Sequence, residues 1–492
     1  MAKSTTGVKT DTIARLQAIV GDDCATDKKI LADYAAPGRV PVCVVRPADT
    51  AEVREIIKLA NETGINVVAA SSTGPRFRGD TVPAEEGVIV DLSAMRKIVR
   101  VDRRNKVAII EPGVTFGELQ AAAARQGLKV LMPLLPRAGK SVLASYLERE
   151  PILAGKFHWD MTDPLLCTEL VFGTGDMFRT GSASGPGSLE EQWSRGMAQK
   201  NPTGPASADF VRIVQGAQGT MGIVTWASVK LELEPKLRRL YFTQSDNLKK
   251  LVDFSYRVNR AKLADELLIL NGPALGAILG DERESVRTLA GKQAPYTCVY
   301  CLAGYDHLPE MRVDYEEKDV ADIAQACGLT IGRQIPGASA RHMMGLLDAP
   351  SAEPYWKQRP AGAFREIFFL TTMDRTPSFI GLMDDLVKRH GFAPENLGIY
   401  IQPIQQGRSC HLEFNLFYDP SDAAEAEKVE QLFLEASAEL AEAGAFFSRP
   451  YGAWSKIAYA RCPETVEALR KLKEILDPKG VLNRGKLCFG EG

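Results

Sequence analysis

Ala108-Ile109-Ile110-Glu111-Pro112-Gly113-Val114-Thr115 is the stretch from which the fold is read. Its β-branched beginning continues a strand over 107–110. Its end opens a helix over 115–126. Thr115 with Glu118 three residues later has the pattern of a capping box, and Gly127 supplies the stop. Residues 97–101, across the turn Arg103-Arg104-Asn105, read as the partner strand. Working toward the N-terminus, 40–45, 67–70 and 88–92 are short apolar strands. Between the first two lies a helix over 50–63, with Val53, Ile56, Ile57 and Ala60 at helical spacing and Gly64 at its end. This is a βαβ-like opening with a loop over 71–87. Residues 11–34 read as an N-terminal helical cap.

Working toward the C-terminus, 132–163 reads as irregular. Residues 168–172 and 177–180 form a hairpin around Gly173-Thr174-Gly175-Asp176, and 223–233 is a long β-rich run ending in Glu234-Pro235-Lys236. The composition changes there, which marks a domain boundary. From Leu240 onward strand-like runs (299–302, 367–371, 399–403, 411–418) alternate with helices (378–390, 423–443). A last helix covers 463–476.

The length of 492 residues implies more than one core. The 60 basic and 62 acidic residues leave a net charge of −2 with no basic block, so a nucleic-acid role is not expected. The N-terminus lacks an apolar signal core of about 7–15 residues, and no run reaches the roughly 18 apolar residues of a membrane span. A cytoplasmic protein without direct membrane insertion is expected. The nine cysteines show no framework spacing and read as reduced thiols. Cys298 and Cys301, the C-x-x-C pair, lie on a strand where a separation of three puts them on opposite faces.

A further set of segments carries a family resemblance. Arg46-Pro47 with Glu52-Val53 precedes Val67-Val68-Ala69-Ala70-Ser71-Ser72-Thr73-Gly74. Gly87-Val88-Ile89-Val90-Asp91-Leu92 leads to Glu111-Pro112-Gly113-Val114-Thr115. Thr162-Asp163-Pro164 runs on through Glu169-Leu170-Val171 to Phe178-Arg179-Thr180-Gly181. Gln215-Gly216-Ala217-Gln218-Gly219-Thr220-Met221-Gly222-Ile223-Val224-Thr225 follows, and Leu476-Asp477-Pro478 to Asn483-Arg484-Gly485-Lys486 ends the series. In this order, over nearly the whole chain, they resemble the vanillyl-alcohol oxidase/p-cresol methylhydroxylase superfamily, whose fold the FAD subunit of glycolate oxidase also uses. The resemblance implies an α+β fold: a two-subdomain FAD-binding domain and an α+β cap with a large antiparallel sheet. The expected division is an N-terminal cap (1–37), the FAD domain (38–237), the substrate domain (238–448) and a tail (449–492) returning to the FAD domain.

The implied cofactor is FAD. The resemblance assigns its contacts to Ser71, Ser72, Thr73, Gly74 and Arg76 of the pyrophosphate loop, to Pro133, and to Ser141, Ser145 and Tyr146 of the second flavin loop. It adds Asp163, then Gly216, Gly219, Thr220, Gly222, Ile223 and Val224 of the glycine-rich turn, and Asn483 and Lys486 of the tail. Two departures stand out. The pyrophosphate loop carries Pro75, Arg76 and Arg78 where relatives have more glycine, and Ser141 to Glu150 stands where relatives often have Gly-Gly-Asn, with a bulky Tyr146-Leu147 that reads as narrowing the flavin cavity or lining the substrate pocket. Arg76 reads either as a pyrophosphate partner or as an ordinary loop arginine. His158 reads either as a flavin-proximal group or as a loop residue packed on Trp159.

Dehydrogenation of a hydroxylated donor needs a base for the hydroxyl proton and a means of holding the substrate. In 410–418 the residues His411, Glu413 and Asn415 alternate with Leu412, Phe414 and Leu416, so one face is polar. That face meets either a cavity or solvent. His411 is the candidate base, Glu413 its orienting or metal-ligating partner, and Tyr400 and Gln402 candidates for the same cavity. A first histidine found in glycolate- and lactate-type relatives is replaced here by Gln406-Gly407-Arg408, and no metal site is assigned. Arg449 and Tyr451 resemble a Tyr-Arg element of phenol-oxidising relatives, although Arg449 also reads as a domain-bridging ion pair. The expected reaction is dehydrogenation of a 2-hydroxy acid or a hydroxybenzylic alcohol, with hydride passing to flavin. Electrons then go to O₂ or an electron-accepting protein partner, in a homo- or hetero-oligomer. A flavin-dependent reductase fed by a partner and a non-catalytic subunit with a degenerate flavin site remain alternatives.

Overall fold

Residues 5–36, 38–156, 163–205 and 209–490 are described by the computed structural model, with side chains from residue 11 onward. The β-branched runs near the N-terminus form a small sheet of β1 (Cys24–Ala25), β2 (Cys43–Val45), β3 (Asn66–Ala70) and β4 (Gly87–Asp91), in the order β1-β2-β4-β3. β4 lies parallel to β2 and to β3. β2 and β3 run the same way on either side of β4, and the helix Thr50–Thr63 supplies the crossover between them. Asp49 caps that helix by accepting from Glu52 N, and Gly64 ends it at φ 72°. Its stripe of Val53, Ile56, Ile57 and Ala60 is fully buried against the sheet. Each large member contributes about 1.5–3 kcal/mol.

The expected single helix over 11–34 is broken. Thr5–Val20 is helical, Gly21 turns the chain at φ 62°, β1 follows, and Asp27 caps a second short helix, Lys28–Ala32.

The quoted stretch lies in a second, antiparallel sheet. β5 (Ile98–Asp102), β6 (Val107–Ile110), β7 (Leu128–Val130), β8 (Leu165–Val171), β9 (Met177–Arg179) and β10 (Ile223–Leu233) run in the order β5-β6-β10-β8-β9, with β7 on β10. The capping box at Thr115 forms, with Thr115 N donating to Glu118 Oε2 at 2.9 Å. The stretch expected to be irregular holds a short helix, Val142–Leu147, capped by Ser141.

The third sheet is antiparallel and seven-stranded. Its strands are β11 (Leu237–Ser245), β12 (Glu266–Asn271), β13 (Tyr296–Gly304), β14 (Ile331–Gly332), β17 (Ala363–Thr371), β18 (Leu397–Ile404) and β19 (Ser409–Tyr418). β15 (Gln334–Ile335) and β16 (Ala338–Ser339) form a separate ribbon. The order is β14-β11-β13-β12-β18-β19-β17. One face packs on the helices Leu248–Arg260, Pro309–Ala326, Thr376–Arg389 and Ala423–Glu442. Part of the other face buries Leu134, Leu135 and Leu153, which come from the earlier part of the chain. Cys298 and Cys301 sit on opposite faces of β13, buried and free.

The tail returns to the first sheet. Asp477 accepts from Val481 N and Leu482 N, both at 2.9 Å, and fixes the turn after the helix Pro463–Leu476. Val67 N then donates to Val481 O, and Asn483 N to Val67 O, each at 2.8 Å. The tail thereby covers the open edge of β3. No helix among the described residues is long and apolar enough to cross a membrane.

Candidate active site

β18 and β19 are paired with Gln402 opposite His411 and Tyr400 opposite Glu413. Directly opposed residues share a face, so these side chains and Asn415 make one polar patch. The patch is buried: His411 and Gln402 are each 1% exposed, and Asn415 0%. The reading of a merely solvated strand face is therefore set aside. A cavity lies over the patch. Tyr400, His411, Glu413, Arg449 and Tyr451 line one end, and Ser71, Ser72 and Arg76 line another. Gly216, Gly219, Gly222, Ile223, Val224 and Pro133 line its walls between them. Candidates expected at the cofactor and candidates expected at the chemistry thus meet in one space.

Glycine lets the main chain come close on one wall. Gly219 has φ +71°, and a Cβ there would lie 3.8 Å from the Ala69 Cβ across the trough. At Gly222 a Cβ would meet Leu170 Cδ1 at 2.9 Å. Arg76 donates to Asp33 O at 3.1 Å and Ser72 O at 3.0 Å and stacks on Tyr34, with 3.8 Å to the ring centroid. Arg137 donates to Thr73 O at 3.1 Å. Both guanidiniums donate to neutral carbonyls, which leaves their charge for an anion at the Ser71–Ser72 end.

Other candidates lie behind the walls. Ser141 is fully buried, donates to Pro112 O at 2.5 Å, accepts from Ala144 N, and uses its own N–H on Ser72 Oγ at 3.0 Å. Ser145 donates to Glu150 at 2.6 Å. Tyr146, expected to narrow the cavity, instead points into the core. Its hydroxyl donates to Leu131 O at 2.6 Å and its ring packs edge-on to Phe116, while Leu147 is the lining residue. Thr73 and Gly74 stay in the loop but off the lining, with Thr73 N bonded to Gly139 O. Asp163 is taken up by Arg212 and Gln215. Thr220 donates to Ala217 O at 2.7 Å. Asn483 donates to Gln218 O, and Lys486 to Gly79 O, each at 2.6 Å, so the tail braces the glycine-rich turn and the first loop from outside. Gln402 does not line the cavity: it donates to Ile152 O at 2.5 Å and accepts from the Tyr400 hydroxyl. His158 and Thr162 lie outside the described residues.

At the catalytic end, His411 Nε2 lies 3.4 Å from Glu413 Oε2. Glu413 Oε1 is 2.7 Å from Lys357 Nζ and accepts from Asn415 Nδ2 at 2.8 Å. Burial pushes the Glu413 carboxyl up, but Lys357 and His411 together hold it well below the usual carboxylate range. Burial pushes His411 down, against the pull of Glu413. Burial pushes Tyr400 and Tyr451 well above ordinary tyrosine. His411 Nδ1 and Arg449 Nη1 are buried without a partner, and Arg449 stacks on Phe368, 4.1 Å from the ring centroid. Buried donors and acceptors are rarely left so.

Sequence reasoning missed the ionic cluster beside this site. Arg78 binds Glu366 through Nε and Glu148 and Glu150 through Nη1, each at 2.6 Å. Lys140 lies 2.9 Å from Glu148, and Lys357 lies 2.7 Å from Glu366. It also missed an aromatic wall. Phe77 packs against Tyr355 and Phe364, with ring centroids 5.9 and 4.7 Å away, and Trp356 lines the cavity with Nε1 unpartnered. The only signal for the first was the unusual arginine content of the 71–80 loop.

Residues 41–181 match a family model described as an FAD binding domain, and 371–487 match one described as the C-terminal domain of FAD linked oxidases. An uncharacterised FAD-linked oxidoreductase of Mycobacterium tuberculosis is 24% identical over 97% of this chain and 99% of its own length. A glycolate oxidase subunit of Bacillus subtilis is 23% identical over 91% of this chain and 89% of its own. Among solved structures, p-cresol methylhydroxylase with substrate bound aligns with a TM-score of 0.83 at 17% identity, over 99% of this chain and 98% of that one.

Proposed function

Because the chain belongs to the FAD-linked oxidases of the p-cresol methylhydroxylase type, we propose that it dehydrogenates a small hydroxylated substrate, a hydroxybenzylic or phenolic alcohol, over the polar face of β18 and β19. The cofactor is FAD. The residues fit it: a trough with glycine on one wall and small residues on the other suits an extended dinucleotide, and Arg76 and Arg137 suit its pyrophosphate. When bound, FAD supplies the two-electron acceptor for a hydride leaving the substrate carbon.

The observation that carries the reading is the pair of unpartnered buried atoms, His411 Nδ1 and Arg449 Nη1, on residues lining the same space. An ionised Glu413 only accepts, so the Nε2 facing it carries the imidazole proton. Nδ1 then holds the lone pair and takes the proton of the substrate hydroxyl as the carbonyl forms. Arg449 balances an anionic oxygen of the substrate, with Tyr451 beside it. The aromatic wall of Phe77, Tyr355, Trp356 and Phe364 favours a ring-bearing substrate. Electrons leave to O₂ or to an electron-accepting protein. A second reading, a 2-hydroxy acid, is favoured by the same guanidinium, which suits a carboxylate equally well.

Anaerobic mixing of the purified flavoprotein with 4-hydroxybenzyl alcohol, glycolate, and D- or L-lactate tests this. Bleaching of the flavin band by the aromatic alcohol is expected. Bleaching by the acids alone moves the assignment to the second reading, and no bleaching by any of them removes both.

A further inference from the structure

Lys357 is 4% exposed and precedes β17, a position with no local pattern to announce it. Its ammonium sits between two carboxylates, 2.7 Å from Glu366 and 2.7 Å from Glu413. Each carboxylate faces a different way. Glu413 continues to His411. Glu366 continues to Arg78, which belongs to the loop between β3 and β4 and also holds Glu148 and Glu150. A chain of contacts, Arg78–Glu366–Lys357–Glu413–His411, therefore crosses from the cofactor side of the cavity to the base. Without Lys357, Glu366 and Glu413 would be like charges buried on adjacent strands.

We propose that Lys357 is a positioning residue for the reaction: it fixes Glu413 so that His411 stays the Nε2–H tautomer with Nδ1 free to accept, and it ties that arrangement to the loop carrying Arg78. Lys357 does not touch the imidazole and acts through Glu413. The groups that face His411 from the packed elements are Glu413 on its own strand and Tyr400 on β18, its ring centroid 5.4 Å away. Arg449 lies on the segment after the helix Ala423–Glu442, and Lys357 itself approaches from before β17. Phe368 on β17 contributes only its ring, 6.0 Å from the imidazole. Within this set Lys357 and Arg449 disfavour the imidazolium and Glu413 favours it. The inference rests on His411 as the base but is measurable without any substrate.

The test is a pH titration of the histidine ring carbons by NMR in the intact holoprotein. The chain has five histidines, and His411→Asn identifies the resonance. Lys357→Met removes the cation and is expected to raise the His411 midpoint by about one pH unit or more, while Lys357→Arg leaves it near the wild-type value. Glu366→Gln hands Lys357 wholly to Glu413 and is expected to lower the midpoint or leave it unchanged. Mere loosening and hydration of the site would raise it in both Lys357→Met and Glu366→Gln, and that result overturns the proposal, as does an unmoved midpoint in Lys357→Met. If Lys357→Met does not yield folded holoprotein, a rise in Glu366→Gln alone is enough to overturn it. Failure of every alcohol and acid to bleach the flavin would count against the reaction and leave this titration untouched.

Discussion

Burial pushes both His411 and Arg449 down, with different consequences. It lowers the histidine below its ordinary 6.5, so the imidazole is neutral and ready to accept a proton. It leaves the guanidinium charged but without solvent, so an anionic oxygen is its best available partner. The acid limb of kcat/KM is therefore expected below pH 6.5, with activity constant through neutrality. A limb at or above that value would mean another base. His411→Asn is expected to slow flavin bleaching by about 10²- to 10⁴-fold with flavin content unchanged. Arg449→Ala is expected to cost about 10- to 100-fold in kcat/KM, the scale of a charged hydrogen bond, and most for substrates that bind as anions. A neutral analogue reacting equally well with both proteins would remove this role. The polar alternation of His411, Glu413 and Asn415 was legible in the sequence because strand geometry alone sets it. Lys357 and Arg78 were not, because their partners lie across the fold and no local spacing points to them.

Local signals gave the elements that close on themselves within a few residues. The capping box at Thr115 and the Gly64 stop are both formed. Thr115→Ala is expected to cost about 1 kcal/mol in a denaturant titration while leaving flavin binding intact. Gly219 is different, because its left-handed backbone and its approach to Ala69 shape the trough. Gly219→Ala adds roughly 1–2 kcal/mol of backbone strain and narrows the space, so the variant should purify with less flavin than wild type. Full occupancy would show that the turn does not wall the cofactor. Two elements were misread for a physical reason. In 11–34 the left-handed Gly21 ends a helix that composition alone would have continued, and Val142–Leu147 is too short for its periodicity to show in an irregular stretch.

For the whole molecule, the cluster around Arg78 matters most, because it joins residues from both ends of the chain's larger parts. Arg78→Met leaves Glu148, Glu150 and Glu366 without their common partner and is expected to destabilise by about 3–5 kcal/mol. Although burial pushes them up, Glu150, Glu366 and Glu413 are held below the ordinary 4.5 by Arg78, Lys140 and Lys357. Their stabilisation is complete above that value and is lost as pH falls through the folded midpoints. His411, lowered from 6.5, adds a loss in the same direction from that pH downward, while Glu148, pushed up by burial, works the other way. A Tm that falls as pH drops below about 4.5 is therefore expected, and a Tm that held or rose there would contradict the ionic cluster. The α+β class with its large antiparallel sheet was legible through family resemblance; the meeting of Ser71, Ser72 and Arg76 with Tyr400, His411, Glu413, Arg449 and Tyr451 in one cavity needed the three-dimensional structure. That meeting is the central claim, and comparing anaerobic flavin bleaching by 4-hydroxybenzyl alcohol in wild type and His411→Asn tests it most directly. The account predicts equal flavin content, rapid bleaching in wild type and almost none in the variant. Equal bleaching rates in the two proteins, or folded protein that binds no flavin, would contradict it.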